Sequence, residues 1–323
     1  MKLVNHYSKI VITGGSGFLG HHLLSNKAFN EALAIGRTKP DNHQIFRKVS
    51  FAEDDNLSEV LIDKEVVVHL AARAHVMNDV SKNSLDLYRQ VNTVETLNLA
   101  EKAAIAGVKR FIFISTIKVL GEQTEPGQAF KNGDSFNPQD PYSISKAEAE
   151  EGLKLIGEAH GMEIVIIRPP LVYGEGVKGN FASLIKLISL PIPLPIGSIH
   201  NKRSLVSVEN LVDLIVTCLY HPNAANQTFL VSDDEDMSTP LLFSRLAEAG
   251  NYSTYIFKFP LSILHFFLRL LGQLPIYYRM CSSMQVDIEF TKSQLSWNPP
   301  YKVSDSLRSC WLKDTKPKKK FYR

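Results

Sequence analysis

The sequence predicts an α/β protein in which a doubly wound parallel sheet is followed by a smaller, mostly helical C-terminal lobe. Three observations support this fold class. Short β-branched runs alternate with helical patterns up to about residue 171, as in a sheet with right-handed parallel connections. A glycine run occupies residues 13–20, directly after the first of these β-branched runs. The sequence Tyr142-Ser143-Ile144-Ser145-Lys146 lies in a later helical stretch.

The first predicted strand, residues 10–12, leads into the glycine run, and a helical pattern follows it. This is the context of a dinucleotide-binding turn in a Rossmann-type domain. Gly14 can make the tight turn, Gly17 lets the backbone approach a pyrophosphate, and Gly20 lets the helix pack on the strand. Free N–H groups at the start of the helix would bind the anion. The cofactor-binding residues predicted here are Gly14, Gly17, Phe18, Leu19 and Gly20.

The second predicted strand, residues 32–35, is followed by Gly36-Arg37-Thr38, where an NAD site usually has an acid that binds the ribose 2′-OH. A guanidinium can bind a 2′-phosphate bidentately, so Arg37 favours NADP. The alternative is that Arg37 is a solvated loop residue and that Asp41 or Asp54 contacts the ribose. The sequence leaves both NAD and NADP open as the cofactor.

Tyr142 and Lys146 are four residues apart, so they share one face of a helix if Asp140 caps it. A free phenol has a pKa of about 10. A nearby ammonium group and a nicotinamide cation would both lower that pKa, which would make Tyr142 a proton carrier. Thr116 follows the strand predicted at residues 110–114, and a hydroxyl at the carboxyl end of a parallel strand faces the ligand crevice.

Together these motifs resemble the extended short-chain dehydrogenase/reductase family, in its branch of NAD(P)-dependent nucleotide-sugar epimerases and dehydratases. The resemblance covers residues 9 to about 235, and the rest more loosely. It implies that Thr116, Tyr142 and Lys146 are catalytic. The cofactor-binding residues that it implies, beyond the glycine run and Arg37, are Leu70, Ala71, Ala72, Asn92, Tyr142 and Lys146.

The resemblance also implies where the substrate binds. In relatives, an asparagine after a glycine-rich loop contacts the diphosphate or the sugar, and Asn180 has that position here. Arg203 is placed where relatives have an arginine on the diphosphate, and its fork of N–H groups matches phosphate oxygens. Arg279 is a further candidate, and Thr116 completes the substrate-binding set. The alternatives are a turn asparagine and surface arginines.

We expect two structural units. The NAD(P)-binding domain is predicted at residues 1–173, with segments near 203–235 returning to it. The substrate-binding lobe is predicted at residues 174–202 and 236–323.

By this resemblance, the expected reaction is epimerisation at C4 of a UDP-hexose or UDP-N-acetylhexosamine through a 4-keto intermediate, in surface-polysaccharide (O-antigen) synthesis. An alternative is an NADPH-dependent reductase of a UDP-4-keto-6-deoxyhexosamine, which uses the same three residues and is favoured by Arg37. A second alternative is a non-catalytic dinucleotide sensor, against which the intact Tyr142 and Lys146 pair argues. A dehydratase is disfavoured, because Ile117 and Lys118 stand where it usually has an acid pair.

Composition narrows the partners. The net charge of +3 on 323 residues gives no indication of nucleic-acid binding. Three scattered cysteines have neither disulfide-framework nor metal-ligand spacing, so we expect no metal and a reducing, cytoplasmic location. The first residues lack the apolar stretch of a signal peptide. The expected partner is a nucleotide-sugar substrate, and a homodimer remains open.

The C-terminal part contains an apolar stretch at residues 259–271 and a basic end at residues 316–323. The apolar stretch is too short to span a bilayer, which needs about 20 apolar residues. Most apolar helices of this length pack into a core, so we expect this one to pack in the substrate lobe. The alternative is that the helix and the basic end make weak contact with an anionic membrane surface, at the inner face of the membrane.

Overall fold

A computed structural model describes residues 9–52, 56–74, 84–125 and 127–312. Within these ranges nine strands are present. They are Ile10–Thr13 (β1), Leu33–Gly36 (β2), Phe46–Lys48 (β3), Val66–His69 (β4), Arg110–Ile114 (β5), Glu163–Arg168 (β6), Leu171–Tyr173 (β7), Leu205–Ser207 (β8) and Thr228–Leu230 (β9).

Twelve α-helices lie in the same described ranges. The first six are Phe18–Ser25 (α1), Asn56–Leu61 (α2), Ser84–Arg89 (α3), Glu95–Ile105 (α4), Pro141–His160 (α5) and Asn180–Ile188 (α6). The others are Val208–Tyr220 (α7), Thr239–Ala249 (α8), Leu261–Leu270 (α9), Leu274–Cys281 (α10), Glu289–Leu295 (α11) and Val303–Ser309 (α12).

The main sheet has seven parallel strands in the order β3-β2-β1-β4-β5-β6-β9, which confirms the predicted fold class. Chain order reverses between β1 and β4, and ligands of such sheets bind outside the carboxyl ends of the strands at this point. Thr13 is in register with His69 across this pair of strands. The glycine run therefore begins directly beside the end of β4.

Helices cover both faces of the sheet, as the continuous apolar strands require. One face packs against α1 and α7, with Ile12 and Ile112 among its buried residues. The other face packs against α2, α4 and α5, with Val67 and Phe111 at its centre. Both faces are thus closed to solvent, and the carboxyl edge of the strands remains available for a ligand.

The second half of the chain builds a separate apolar cluster. α6, α8 and α12 meet around Phe181, Phe243 and Trp311. Two strands lie in the region near 203–235 that was predicted to return to the first domain. β9 joins the edge of the main sheet, whereas β8 pairs with β7 in a small two-stranded sheet. The domain limits given above stay a prediction.

The apolar stretch at residues 259–271 forms α9, which contacts the apolar cluster of the lobe through Leu261 but is not enclosed by it. Neither α9 nor the following α10 contains a buried residue. Within the described ranges, none of the helices combines the length and the apolar character that crossing a bilayer requires.

Candidate active site

The glycine run forms a cradle that larger side chains would fill. Gly14 has φ +71°, and a β-carbon there would lie 2.6 Å from the backbone nitrogen of Ala71. A β-carbon at Gly20 would overlap the carbonyl oxygen of Gly14. The Gly17 N–H donates to that same oxygen at 3.0 Å, which closes the turn. The geometry therefore fits a turn that brings the start of α1 close to a pyrophosphate.

A buried chain of hydrogen bonds joins this turn to the end of β4. The Thr13 hydroxyl oxygen accepts from the backbone N–H groups of Leu70 and Ala71 at 3.2 and 3.1 Å. With both lone pairs used, its O–H can donate to Nδ1 of His69, 2.8 Å away, and His69 Nε2 then donates to Thr96 Oγ1 at 3.0 Å. Burial lowers the pKa of His69 to about 3, so the ring is neutral, as this pattern requires.

Sequence reasoning did not find the role of Thr13 and His69. The available signal was their register: each stands at the carboxyl end of its strand, and the two strands are neighbours. The hydrogen bonds of Thr13 and His69 fix the segment of Leu70 and Ala71 against the glycine turn. They therefore support the surface on which a dinucleotide would lie.

Asn92 occupies a wide π-helical turn, Gln90–Val94, between α3 and α4. Its side-chain oxygen accepts from the Arg73 backbone N–H at 2.7 Å, and its amide donates to the Arg73 carbonyl and to Ser145 Oγ. Asn92 therefore ties the loop after β4 to α5, one residue before Lys146. Interruptions of this kind in a helix frequently occur at functional sites.

α5 begins as predicted. The Asp140 carboxylate accepts from the Ser143 N–H at 2.7 Å, and Ser143 Oγ accepts from the Asp140 N–H at 3.1 Å, which is a complete capping box. Tyr142 and Lys146 follow one turn apart on the same face. The ring of Tyr88 on α3 lies 6.3 Å from the ring of Tyr142.

The electrostatics of this pair differ from expectation. Burial, and then the charge of Asp140, raise the pKa of Tyr142 above its usual value, so the chain's own groups do not produce the expected lowering. Lys146 is only 1% exposed, and its Nζ lies 3.9 Å from the centre of the Phe113 ring. This apolar environment lowers the pKa of Lys146 to about 7.

Thr116 is buried at the carboxyl end of β5 and caps a short 3₁₀ turn, where its hydroxyl accepts from the Lys118 N–H at 3.3 Å. Lys118 Nζ lies 2.7 Å from Asp140 Oδ2. The ion pair thus joins the turn that follows Thr116 to the cap of the helix that carries Tyr142. The sequence pattern alone gives no indication of this contact of Lys118.

A buried ion pair joins α5 to β6. Glu150 is fully buried on α5, and its carboxylate binds Arg168 of β6, with Nη2 and Oε2 2.6 Å apart. The Ser115 hydroxyl donates to the same carboxylate. Because Ser115 directly precedes Thr116 and β6 pairs with β5, these contacts fix α5 relative to the strand end that bears Thr116.

Arg37 is exposed at the end of β2, and Thr38 beside it is exposed as well. Its charge acts on Glu95 at the start of α4. Burial raises the pKa of the Glu95 carboxyl, and the Arg37 guanidinium offsets part of that rise. The carboxylate of Glu95 on α4 therefore lies close enough to interact with the charge of Arg37, although no acidic residue directly follows β2. Asp41 is exposed nearby in sequence, and Asp54 lies outside the described residues.

The predicted substrate residues are only partly brought together. Arg203 Nη1 donates to the carbonyl oxygens of Arg279 and Ser282 at 2.8 and 3.2 Å, and burial lowers the pKa of its guanidinium. Arg279 is exposed near the end of α10. Asn180 begins α6, and its side chain is not among the parts of the chain that the structure describes. The two arginines are thus neighbours, and within the described residues no hydrogen bond or ion pair joins them to Tyr142.

Comparison with known proteins is decisive for the family. A family model described as "NAD dependent epimerase/dehydratase family" matches residues 10–232. The chain belongs to this family. As a member, the protein is an enzyme that depends on NAD or NADP. The glycine cradle and the pair of Tyr142 and Lys146 are consistent with this.

Individual relatives extend the match beyond the family model. A UDP-glucose 4-epimerase of Vibrio cholerae is 46% identical over 305 residues, which cover 93% of each chain. An N-acetyl-alpha-D-glucosaminyl-diphospho-ditrans,octacis-undecaprenol 4-epimerase of Escherichia coli O157:H7 is 29% identical and covers 75% of this chain and 72% of its own. The crystal structure of a Thermotoga maritima UDP-glucose 4-epimerase with UDP-glucose has a TM-score of 0.74 at 22% identity, covering 93% and 96% of the two chains.

Proposed function

We propose that the protein is a 4-epimerase of a nucleotide sugar, with a UDP-hexose or a UDP-N-acetylhexosamine as substrate and surface-polysaccharide synthesis as its setting. The observation that carries the proposal is the position of Tyr142 and Lys146. They stand on the first turns of a capped helix, at the same edge of the sheet as Thr116 and the glycine cradle. The similarity over 93% of the Vibrio cholerae epimerase supports C4 as the reacting carbon.

In this proposal the Tyr142 phenolate takes the proton of the sugar C4 hydroxyl and later returns it. The Thr116 hydroxyl, held at the end of β5, donates to the same sugar oxygen. Lys146 donates to the nicotinamide ribose and supplies positive charge beside the phenol. The glycine cradle and Lys146 would hold the nicotinamide cofactor, which would supply hydride acceptance at C4 and hydride return to the opposite face of the sugar.

Protonation states set a condition on this mechanism. Burial favours the neutral forms of both Tyr142 and Lys146. A phenolate and an ammonium ion that lie close together stabilise each other. The charged pair is therefore more favourable in this buried site than either charge would be alone. The positive nicotinamide ring of the oxidised cofactor would favour the phenolate further.

The substrate lobe supplies the anion-binding residues of the proposal. Arg203 is fixed by two carbonyl oxygens, and among the described residues it forms no ion pair with a carboxylate. Its charge is therefore available to a diphosphate, with Arg279 beside it. Asn180, at the start of α6, is proposed to contact the diphosphate or the sugar.

Tyr142→Phe tests the catalytic assignment. Phenylalanine keeps the ring and removes the proton carrier, so kcat for interconversion of UDP-glucose and UDP-galactose, or of the N-acetylated pair, should fall by about 10² to 10⁴-fold. Affinity for the cofactor, measured by calorimetry, should change little. Retention of more than half of the wild-type kcat would show that Tyr142 is not the proton carrier.

A reductase that uses NADPH is the second candidate, because Arg37 stands where an NAD site usually has an acid. Release and identification of the cofactor from purified protein separates the two: retained NAD favours the epimerase, and an empty site that takes up NADPH favours the reductase. Protein that binds cofactor but converts no nucleotide sugar would instead be a sensor.

Arg37→Ala tests the same alternative at the level of one residue. If the guanidinium binds a 2′-phosphate, the loss of a charge-assisted hydrogen bond of roughly 1.5–3 kcal/mol should weaken NADPH at least about tenfold. NADH should be affected much less. Equal effects on the two cofactors would leave Arg37 as a surface residue next to Glu95.

A further inference from the structure

The helices α9 and α10 form a surface element, residues 261–281, that we call the apolar hairpin. Its outer face carries a stripe of large apolar side chains spaced as on the buried face of an amphipathic helix. Here the stripe points to solvent: Phe266 is 60% exposed and Leu270 is 73% exposed. The stripe consists of Ile263, Phe266, Phe267, Leu270 and Leu271.

The apolar hairpin is nevertheless attached to the lobe. Its inner side contacts the apolar cluster of the lobe through Leu261 and Met280. The Thr239 hydroxyl donates to the Met280 carbonyl at 2.6 Å, and the rings of His265 and Tyr277 lie 4.9 Å apart between the two helices. The exposed stripe is therefore the outer face of a held element, and contiguous apolar surface of this kind marks an interaction site.

The hairpin and a segment that contacts its flank contain basic residues and no acidic ones. Residues 249–286, which include the hairpin, contain no Asp or Glu, and the same is true of residues 176–208. The two segments touch, since the N–H of Leu194 donates to the Tyr255 carbonyl at 2.8 Å and that of Gly197 to Phe257 at 2.9 Å. Their cations are Lys178, Lys186, Lys202, Arg203, Lys258, Arg269 and Arg279.

We propose that the apolar hairpin docks on the surface of an anionic lipid bilayer, with its stripe in the boundary between headgroups and acyl chains. A strongly amphipathic helix with aromatic residues and flanking cations has the composition of an interfacial helix. The cations add attraction to an anionic headgroup layer, of about fivefold in affinity for each one near the surface. The exposed tyrosines, Tyr255 and Tyr278, suit the headgroup level.

Docking would place the substrate lobe at the membrane. Arg203 is hydrogen-bonded to the backbone of Arg279, at the end of the hairpin, so the arginines proposed to bind a diphosphate belong to the same surface region. The docking inference itself does not depend on which reaction the site catalyses.

Vesicle co-sedimentation of the full chain tests the proposal. Vesicles of phosphatidylglycerol and phosphatidylethanolamine should pellet the protein at low salt, whereas vesicles of pure phosphatidylcholine should not. In Phe266→Ser/Leu270→Ser, binding should fall by at least about tenfold for each side chain removed from the boundary. The matched control is Ile105→Ser/Leu155→Ser, which removes two side chains of similar exposure, 71% and 67%, from α4 and α5. The control should pellet like the wild type.

Thermal unfolding and turnover of both variants verify that each is folded. The proposal is overturned if the wild type stays in the supernatant, if it pellets equally with pure phosphatidylcholine, or if the hairpin variant pellets like the wild type. It is also overturned if a chain ending at Asp314 loses binding while Phe266→Ser/Leu270→Ser keeps it, since the basic end alone would then be the contact. If the wild type does not bind vesicles and the molar mass of the hairpin variant in light scattering differs from that of the wild type, the stripe is an interface with a second copy.

Discussion

Lys146 should make the stability of the cofactor-free protein depend on pH. Burial lowers the pKa of this lysine from 10.5 to about 7. Between these values the unfolded chain keeps the proton that the folded chain has lost, so the free energy of unfolding rises with pH. A single group with such a pair of pKa values raises stability by roughly 1.5–2 kcal/mol between pH 7 and 8.5, out of roughly 5 kcal/mol for the whole range.

Urea unfolding of cofactor-free protein at several pH values between 7 and 8.5 measures this slope. Lys146→Met should remove it, and Lys154→Met, which changes an exposed lysine of the same helix, should keep it. Burial raises the pKa values of the Cys218 and Cys310 thiols to about 12, which gives a slope of opposite sign, but both thiols are present in all three proteins and their effect cancels in the difference. Parallel stability profiles for the wild type and Lys146→Met would refute the reasoning.

Two further predictions concern the framework of the site. Gly20→Ala should destabilise the protein by about 1–3 kcal/mol in denaturant unfolding and weaken cofactor binding, because the new methyl group overlaps the Gly14 carbonyl; Gly133→Ala, where a β-carbon meets nothing within 4 Å, is the control and should be near neutral. The pair of Lys118 and Asp140 is about one third exposed, so a double-mutant cycle with Lys118→Met and Asp140→Asn should give a coupling of only about 0.2–1 kcal/mol, and a value near zero would mean that the ion pair does not hold the cap.

Local patterns predicted the parts of the site that lie within a few residues of one another. The glycine turn, the Asp140 cap and the shared face of Tyr142 and Lys146 depend on spacings of three to six residues, where backbone geometry leaves few choices. The capping box in particular needs only Asp140 and Ser143, and both hydrogen bonds are present.

Contacts between distant segments could not be obtained in this way. The side chain of Lys118 reaches Asp140 across a loop, and His69 joins Thr13 only because β4 lies beside β1. Neither spacing has a periodicity that a sequence pattern could reveal. The outward orientation of α9 was missed for a related reason: an apolar stripe fixes that a helix has one apolar face, but not whether that face is covered by the same chain.

The buried ion pair of Glu150 and Arg168 explains why burial controls the pKa of Lys146. Glu150 is one turn further along α5, and its negative charge acts to raise the pKa of the lysine. That carboxylate, however, already binds the Arg168 guanidinium and the Ser115 hydroxyl, so most of its charge is compensated where it stands. The lysine therefore keeps a pKa set mainly by its apolar surroundings. In the proposed mechanism, a Tyr142 phenolate on the same helical face would stabilise the ammonium form of Lys146.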